Sequence, residues 1–331
     1  MQLKKMRICI LAGGPSAEHE VSLASAQMIF EHLDREKYDP FVVIISKDNL
    51  WVFPDGKEYG QGDAMQRMRD EEDVVFALLA LHGEFGEDGT VQTLLDTAGI
   101  RYTGSGAKAS LLGMDKIVSR DMFRAQGIAV PHSWFFVREE FIRNQGDIIG
   151  NIQTKFSFPL VIKPADRGSS VGVSIVPDAT KLVEAIRGAF EHSEQVLVEE
   201  FVVGMEIAAG VIEKNGEAIA LPLVEISPKK NTFFDYASKY SDDGAEEVVP
   251  ARISDEMTKK VQEIAKDTHM IIQCRGYSRT DMIIRKSDNQ VYVLEINTLP
   301  GLTKTSLLPK AAEAVGINFP KLLDMIIESA F

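Results

Sequence analysis

A short apolar run at residues 7–11 ends in the pair Gly13-Gly14 and is followed by a helical pattern over residues 21–33. A strand that leads through a glycine turn into a helix is typical of a β–loop–α–β chain, with parallel strands and right-handed crossovers. The pattern then predicts strands at 41–45 and 73–81 and a helix at 90–98. Such sheets bind ligands beyond the carboxyl ends of their strands. We therefore expect the glycine turn and the loop after the third strand to form part of a binding site.

The length of 331 residues fits two or three domains of about 100–200 residues each. The segment 104–106, Gly-Ser-Gly, interrupts the first pattern, and residues 201–204 have the character of a hinge. We predict an α/β protein with a Rossmann-like parallel-sheet domain at 1–104 and two α+β domains at 105–199 and 200–331. Inside the last domain, the long polar loop 227–247 is expected to act as a lid, because irregular loops of that length usually bind or cover a ligand.

The periodicity of the two α+β domains predicts further elements. Asp178 and Ser254 are the residue types that cap helices, so we expect helices from these residues to about 192 and 269, and another at 115–126. The predicted strands are 134–137, 159–163, 173–176, 195–200, 206–212, 218–224 and two more on either side of 286–290.

The composition excludes several classes of protein. Lys and Arg number 36 against 49 Asp and Glu, so the formal net charge is −13, and an acidic surface argues against nucleic acid as a partner. Two cysteines, Cys9 and Cys274, are too few for a disulfide scaffold or a zinc cluster and indicate a reducing, cytoplasmic compartment. No apolar run approaches the roughly 18–20 residues that span a bilayer, so we expect no membrane segment.

Two acidic residues and an asparagine fall on predicted neighbouring strands near the C-terminus. Alternation puts Glu295 and Asn297 on one face of the second strand. If Arg285 pairs with Val291 across the turn, Asp281 lies opposite Glu295. Two carboxylates and an amide oxygen that point the same way suit Mg²⁺, which often binds substrate phosphates as well. The alternative is the solvated polar face of a hairpin, which the apolar neighbours of these residues argue against.

A glycine-rich segment at 168–172, Gly-Ser-Ser-Val-Gly, lies between two predicted strands. Glycines allow backbone N–H groups to approach an anion closely. Lys163 ends the strand before this turn and Lys116 begins a helix, so both lysines are candidates to bind phosphate. The segment is not a P-loop, because no Lys-Ser/Thr pair follows its last glycine. The alternatives are a flexible hairpin turn and two surface charges.

The strand-like linker 199–202, Glu-Glu-Phe-Val, joins the second and third domains. Its backbone is suited to reading the edge of an adenine, with the aromatic side chain stacked on the base, and Glu206 is then placed near a ribose. The alternative is a charged hinge followed by an exposed glutamate.

Single residues at the predicted loops complete the candidates. Glu18 is suited to a substrate ammonium or, alternatively, to capping the next helix, and His82 to proton transfer, orientation or a structural role. Lys239 and Tyr240 lie in the polar loop, where an exposed surface is the alternative. The backbone N–H of Gly301 can face a developing oxyanion, although a Pro-Gly turn needs no function.

In this order and spacing, the segments resemble the D-alanine–D-alanine ligases of the ATP-grasp superfamily, essentially from end to end. Each motif alone is modest, whereas the set is highly specific. The resemblance implies a three-domain ATP-grasp architecture in which the two α+β domains grip ATP. The motifs are GGPSAEHEVS at 13–22, ALHG at 80–83, GEDGT at 86–90, YTGSG at 102–106, MDK at 114–116, GSSVG at 168–172, KY at 239–240, LEINT at 294–298 and PG at 300–301.

The resemblance also implies a reaction. ATP phosphorylates the carboxylate of one D-alanine, and the amine of a second D-alanine attacks the acyl phosphate. The tetrahedral intermediate then collapses to D-alanyl-D-alanine and phosphate, for use in peptidoglycan precursors. The partners it implies are small-molecule substrates and a second copy of the chain in a homodimer.

The roles of individual residues are likewise implied by the resemblance. Two Mg²⁺ ions, for which Mn²⁺ is a substitute, are assigned to Asp281, Glu295 and Asn297. The ATP phosphates are assigned to Lys116, Lys163, Ser169, Ser170, Val171, Gly172 and Lys239. The adenine and ribose are assigned to Glu199, Phe201, Val202, Glu206 and Phe233, and Glu200 and Leu294 complete the ATP-binding set. Glu18 is assigned to the ammonium group of the first substrate, with Ser169 and Tyr240 as its hydrogen-bonded partners, and Arg279 and Gly301 are assigned to the acyl phosphate. Ser306 and Leu307 are assigned to the carboxylate of the second substrate. His82 is assigned a place beside the second substrate, as a candidate proton acceptor.

Small departures from the family pattern accompany this resemblance. Phe201 stands where relatives often have tryptophan, Phe234 where tyrosine is common, and Ser278 where glycine is frequent. The alternatives are a D-alanine–D-lactate ligase, against which Tyr240 argues, another ATP-grasp carboxylate–amine ligase, and a nucleotide-binding regulator without activity. The intact set of metal ligands and Arg279 argues against the regulator.

Overall fold

The computed structural model describes residues 5–228 and 245–331. Within these ranges the strands form three sheets, each built from a successive part of the chain. The α/β class expected from the sequence is confirmed.

The first sheet has a parallel centre with an antiparallel edge. Its strands and helices are β1 (Met6–Gly13), α1 (His19–His32), β2 (Tyr38–Ile45), β3 (Trp51–Val52), β4 (Glu58–Tyr59), α2 (Gln61–Asp70), β5 (Phe76–Leu79), α3 (Thr90–Ala98) and β6 (Arg101–Tyr102). The strand order is β4-β3-β2-β1-β5-β6, in which β2, β1, β5 and β6 are parallel. The predicted parallel sheet is confirmed, but the strand expected at 73–81 is shorter at both ends. At its start, Asp73 adopts a positive φ of 51° that a strand does not accommodate.

The second sheet is antiparallel, in the order β7-β10-β8-β9. The helices α4 (Ala107–Met114) and α5 (Lys116–Ala125) precede it, and its own elements are β7 (Ser133–Val137), α6 (Arg138–Lys155), β8 (Leu160–Pro164), β9 (Ser174–Val176), α7 (Leu182–Phe190) and β10 (Gln195–Glu200). Phe136, Ile162 and Val198 bury one face of the sheet against α6 and α7. Because side chains alternate along a strand, Lys163 and Glu199 lie on the opposite face.

The third sheet is also antiparallel, in the order β14-β13-β11-β15-β16, with β12 paired to β11. Its elements are β11 (Gly204–Lys214), β12 (Glu217–Ala220), β13 (Val224–Pro228), β14 (Ala245–Val248), α8 (Asp255–Ile272), β15 (Tyr277–Arg285), β16 (Val291–Asn297), α9 (Leu307–Glu313) and α10 (Phe319–Glu328). The prediction of a single strand at 218–224 is wrong. The segment belongs to two strands, and Pro222 lies between them, where its missing N–H interrupts the hydrogen-bond ladder.

One hydrophobic core joins the first sheet to the C-terminal helices. Leu11 and Leu79 of the parallel sheet belong to the same buried cluster as Leu299, Leu322 and further side chains of α9 and α10. Lys37 adds an ion pair of 2.6 Å to Asp324 in α10. This packing brings the loops after β1 and β5 against the turn after β16. No helix among the described residues is long and apolar enough to cross a membrane.

Candidate active site between the three sheets

A cavity of about 920 Å³ lies where the three sheets meet, and most of the residues singled out in the sequence line it. They come from the loops of the first sheet, the inner face of the second, and the strands and turns of the third. The lining includes Glu18, His82, Lys116, Lys163, Ser169, Ser170, Glu199, Glu200, Phe201, Val202, Glu206, Arg279, Asp281, Leu294, Glu295, Asn297, Gly301, Ser306 and Leu307.

Two of the predicted residues that the structure describes are not found in this lining. Val171 and Gly172 belong to the glycine-rich turn but not to the cavity wall. Gly172 has a φ of 70°, and a Cβ atom there would lie 2.8 Å from Pro164, so the residue serves the turn itself. Phe233, Lys239 and Tyr240, with residues 229–244 of the predicted lid, lie outside the described residues.

The carboxylates of Asp281 and Glu295 lie on directly paired residues of β15 and β16. The sequence predicts this pair on the assumption that Arg285 faces Val291 across the turn. That assumption is wrong, because Val291 pairs with Ile284. A β-bulge between Asp281 and Met282 shifts the register by one residue. The bulge restores the predicted pair and turns both carboxylates toward the cavity, as bulges near functional sites commonly do.

Neighbouring side chains hold these oxygen ligands in place. Arg279 donates two hydrogen bonds to Asp281, of 2.7 and 2.8 Å, and Asn297 donates a third of 3.2 Å. Glu295 forms an ion pair of 3.2 Å with Lys116. Burial alone would lower the pKa of Arg279, but the charge of Asp281 and its hydrogen bonds raise it instead. The guanidinium therefore remains charged beside the carboxylates.

The donor set of Asp281, Glu295 and Asn297 fits Mg²⁺. Among the described residues, no group of three or more His, Cys, Asp or Glu side chains is placed to hold a metal ion. Two carboxylates with one amide make an incomplete oxygen shell, which is what Mg²⁺ uses when water and substrate phosphates supply the remaining ligands. The arrangement therefore suits a metal that arrives with a phosphate-bearing substrate.

Lys163 and Glu199 form a buried ion pair of 2.8 Å on the inner face of the second sheet. Arg120 binds the same carboxylate oxygen from α5. The pKa of Lys163 is lowered to about 8, first by burial and then by the nearby charge of Arg120, while Glu199 opposes both. Burial would raise the pKa of Glu199, but its two cationic partners outweigh that effect and lower it. Two cations on one carboxylate leave a positive charge at the cavity wall.

The glycine-rich turn and the start of α5 meet beside this charge. Asp115 caps α5 by accepting hydrogen bonds from two backbone N–H groups of its first turn. Lys116, the first helical residue, donates a hydrogen bond of 2.6 Å to the carbonyl of Arg167. Ser169 and Ser170 have φ values of 51° and 60°, which non-glycine residues seldom adopt. Successive backbone conformations of this kind turn N–H groups toward a concave face that can bind an anion.

His82 and Glu87 line the cavity from the loop after β5. His82 accepts or donates a hydrogen bond of 2.9 Å with the hydroxyl of Ser25, and the ring also bonds the backbone of Leu299. Burial lowers the pKa of His82, which favours the neutral imidazole. Burial raises the pKa of Glu87 to about 8, with the charge of Glu18 as a second cause.

Gly301 lies where the turn after β16 approaches the cavity. A Cβ atom at this position would be 2.6 Å from the hydroxyl of Ser306 and 4.0 Å from the ring of His82. The hydroxyl of Ser306 accepts a hydrogen bond of 3.0 Å from the backbone N–H of Thr303. A second hydrogen bond, of 2.8 Å, joins the hydroxyl groups of the same two residues. The turn is therefore closely packed, and Gly301, Thr303 and Ser306 all line the cavity.

Comparison with known proteins agrees with this geometry. Family models described as D-ala D-ala ligase N-terminus and C-terminus match residues 7–105 and 122–328. The D-alanine–D-alanine ligase of Syntrophobacter fumaroxidans is 40% identical over 332 residues, which cover 100% of this chain and 99% of that protein. The chain belongs to the D-alanine–D-alanine ligase family. Membership makes it an enzyme of the ligase class.

Solved structures of this family have the same architecture. The D-alanine–D-alanine ligase of Bacillus anthracis complexed with ATP matches with a TM-score of 0.81 at 35% identity, over 99% of this chain and 97% of that one. The VanG D-Ala:D-Ser ligase of Enterococcus faecalis matches with a TM-score of 0.83 at 30% identity, over 99% and 100% of the two chains. The ATP-grasp fold expected from the sequence is therefore confirmed.

Two residues at or behind the wall of the cavity are absent from the sequence predictions. Glu87 lies in the quoted motif at 86–90, so its glycine-flanked position was a signal, but only the fold shows that it lines the cavity. Arg120 lies one helical turn after Lys116, a spacing that puts both on one face of α5. Its contacts with Glu199 and with Leu294 join residues 79 and 174 positions away along the chain.

Proposed function

We propose that this ligase joins two molecules of D-alanine at the expense of ATP, through an acyl phosphate, and so supplies D-alanyl-D-alanine for peptidoglycan precursors. One observation carries the proposal. The same cavity is lined by the oxygen ligands Asp281, Glu295 and Asn297 with two lysines, and also by the carboxylate of Glu18 and the turn at Gly301. A phosphate donor and an amino acid can therefore meet in it.

ATP is assigned to the end of the cavity between the second and third sheets. The linker after β10 supplies Phe201, Val202 and backbone groups for the adenine, and Glu206 supplies a carboxylate for the ribose. Lys116 and Lys163 are suited to the phosphates, because both are buried lysines on the cavity wall. A chain with a net charge of −13 needs such a local concentration of cations to bind an anionic nucleotide.

Mg²⁺ is assigned to Asp281, Glu295 and Asn297, where the proposed two ions would neutralise charge on the transferred phosphoryl group. Lys116 holds Glu295 at 3.2 Å, and Arg279 holds Asp281 through two hydrogen bonds. These contacts orient the two carboxylates.

The first D-alanine is assigned to the space between Glu18 and Arg279. Glu18 offers a carboxylate for the ammonium group, and Arg279 offers a permanent cation for the carboxylate. A carboxylate oxygen then attacks the γ-phosphorus, ADP leaves, and the resulting mixed anhydride carries phosphate as a good leaving group. The backbone N–H of Gly301 is assigned to the oxyanion that forms in the next step.

The second D-alanine is assigned to the pocket lined by His82, Ser306 and Leu307. Its free amine attacks the acyl carbon, phosphate leaves, and one proton departs from the nitrogen. A neutral His82 is compatible with an amine in its uncharged form, because it adds no positive charge beside the nitrogen. The proposed substrate ATP is made and used in the cytoplasm, which is where we place the enzyme. The homodimer stays a prediction.

A direct product assay tests the proposal. The purified chain is incubated with Mg²⁺, ATP and pairs drawn from D-alanine, D-serine, D-lactate and L-alanine, and both phosphate and ligated products are measured. We expect D-alanyl-D-alanine as the main product near neutral pH. D-Serine belongs in the panel because of the similarity to a D-Ala:D-Ser ligase. A predominance of D-alanyl-D-lactate or D-alanyl-D-serine, or the absence of any ATP-dependent product, would contradict the proposal.

A further inference from the structure

Arg120 is among the largest fully buried side chains of the protein, with 1% of its surface exposed. It lies on α5, one turn after Lys116, and does not line the cavity. Its guanidinium therefore acts on the site only through the groups that it holds. An arginine is seldom buried unless its donors are satisfied, so those partners explain its position.

The first partner is the backbone carbonyl of Leu294. Arg120 donates two hydrogen bonds to this oxygen, from Nε at 3.0 Å and from Nη2 at 2.8 Å. Leu294 is the extra residue of the bulge in β16. A bulge leaves a backbone group without its partner in the ladder, and a buried carbonyl must find another donor. Arg120 supplies that donor twice.

The bulge decides which residues face each other across the candidate metal site. Met282 pairs with Val293, and continuing this register would place Asp281 opposite Leu294. Because of the bulge, Asp281 lies opposite Glu295 instead. The contact of Arg120 with the bulged carbonyl thus stabilises the register that brings the two carboxylates together.

The second partner of Arg120 is Glu199, the carboxylate that also pairs with Lys163 at 2.8 Å. Without Arg120, Lys163 and Glu199 would form a neutral pair. With Arg120 present, the three side chains carry a net positive charge. Lys163 and Glu199 both line the cavity. The cluster therefore retains an attraction for an anion at the wall.

We infer that Arg120 is a positioning residue for the metal-and-phosphate end of the nucleotide site, where it holds the bulge of β16 and balances Glu199 so that Lys163 is left to bind phosphate. This inference rests on the proposed use of ATP. It assigns no contact between Arg120 and the nucleotide. Its two contacts predict two separable effects, one on Mg²⁺ and one on the phosphates.

Two substitutions separate these effects, and the readout is ADP binding by calorimetry, with and without Mg²⁺. Arg120→Lys keeps a positive charge beside Glu199, but one ammonium cannot reproduce the planar fork that also holds Leu294. We expect its metal-free ADP affinity to stay within about twofold of the parent, and its gain in affinity on adding Mg²⁺ to fall by about tenfold. Arg120→Met removes both contacts, so we expect it to lose about tenfold in metal-free ADP affinity as well.

Arg124→Met is the matched control, because Arg124 lies on the same helix and is paired with Asp121 at the exposed surface. It should leave both binding measurements unchanged. Steady-state kinetics add a second readout: the KM for ATP should rise in both Arg120 variants while the KM for D-alanine does not.

Circular dichroism and thermal melts establish that the variants fold. If Arg120→Met does not fold, Arg120→Lys alone decides the question of the bulge. A Mg²⁺ response like that of the parent in folded Arg120→Lys overturns the inference about β16, and unchanged metal-free affinity in folded Arg120→Met overturns the inference about Lys163. ADP binding needs no turnover, so absence of ligase activity in the parent counts against the proposed function alone.

Discussion

Glu87 accepts a hydrogen bond of 3.2 Å from the backbone N–H of Leu299, which lies 212 residues further along the chain. Its other oxygen accepts a hydrogen bond of 2.8 Å from the backbone of Gly83. One buried carboxyl group therefore ties the loop after β5 to the turn that carries Gly301.

The raised pKa of Glu87 predicts how stability depends on pH. Burial and the charge of Glu18 raise this pKa from 4.5 to about 8, so the folded protein holds a proton that the unfolded chain releases. Stability from this group is present below pH 4.5 and is lost as the pH rises through about 8. We expect the melting temperature to fall between pH 6 and pH 8.5. In Glu87→Gln, which has no proton to lose, the fall should be smaller, and a fall of the same size would refute this assignment.

Removing one charge from the candidate metal site should abolish most activity. Glu295→Gln keeps the shape of the side chain but weakens the hold on Mg²⁺ and the pair with Lys116. We expect kcat to drop by about 100-fold or more while the melting temperature changes little, because metal charge stabilises the transferred phosphoryl group.

Asp288→Asn is a suitable control for that experiment. Asp288 lies between the same two strands, but it pairs with Arg285 at the exposed turn. It should retain the activity of the parent. Near-normal turnover in a folded Glu295→Gln protein would rule out the assignment of Glu295 to the metal.

Nucleotide binding should weaken at alkaline pH. Lys163 must be charged to attract phosphate, and burial lowers its pKa from 10.5 to about 8. Affinity for ADP should therefore be highest below pH 8 and decline as the pH rises through that value. Calorimetry from pH 6.5 to 9.5 measures this trend. Lys163→Met should bind more weakly and lose the decline, and a decline that persists in this variant would point to a different titrating group.

A methyl group at Gly301 should disturb the substrate end of the cavity. Its Cβ would lie 2.6 Å from the hydroxyl of Ser306, so the turn or the serine must move. We expect Gly301→Ala to raise the KM for D-alanine by roughly tenfold. Gly188→Ala is the control, since nothing lies within 4 Å of that position in α7, and it should stabilise the helix by about 0.5–1 kcal/mol. Equal kinetics in the two variants would contradict the proposed role of the turn.

The predictions from sequence are best where one short segment contains the whole signal. The helix at Thr90–Ala98 and the strand at Gln195–Glu200 have the predicted bounds. In both, the spacing of the apolar residues and the residues that end the element lie within one short segment. The two-residue strands β3 and β4 and the helix α6 were not predicted. Strands of two residues are too short to show alternation, and α6 has a non-helical Asn144 inside it that breaks its periodicity.

The candidate site divides in the same way. Asp281, Glu295 and Asn297 are visible in the sequence because two adjacent strands carry them, although the bulge that aligns them is not. Glu87 and Arg120 are single charged residues whose partners are remote in the chain. Their burial becomes known only when the segments pack together.

The α/β class, the parallel sheet at the N-terminus and the family can be predicted from the residues alone, since these depend on local periodicity and on ordered motifs. The contacts that hold the site depend on how distant segments pack. Arg120 reaches Glu199 and Leu294 across 79 and 174 residues, and Glu87 reaches Leu299 across 212. A buried charge needs a partner, and the packing of the chain decides which distant segment provides it. A local sequence pattern does not show which segment that is.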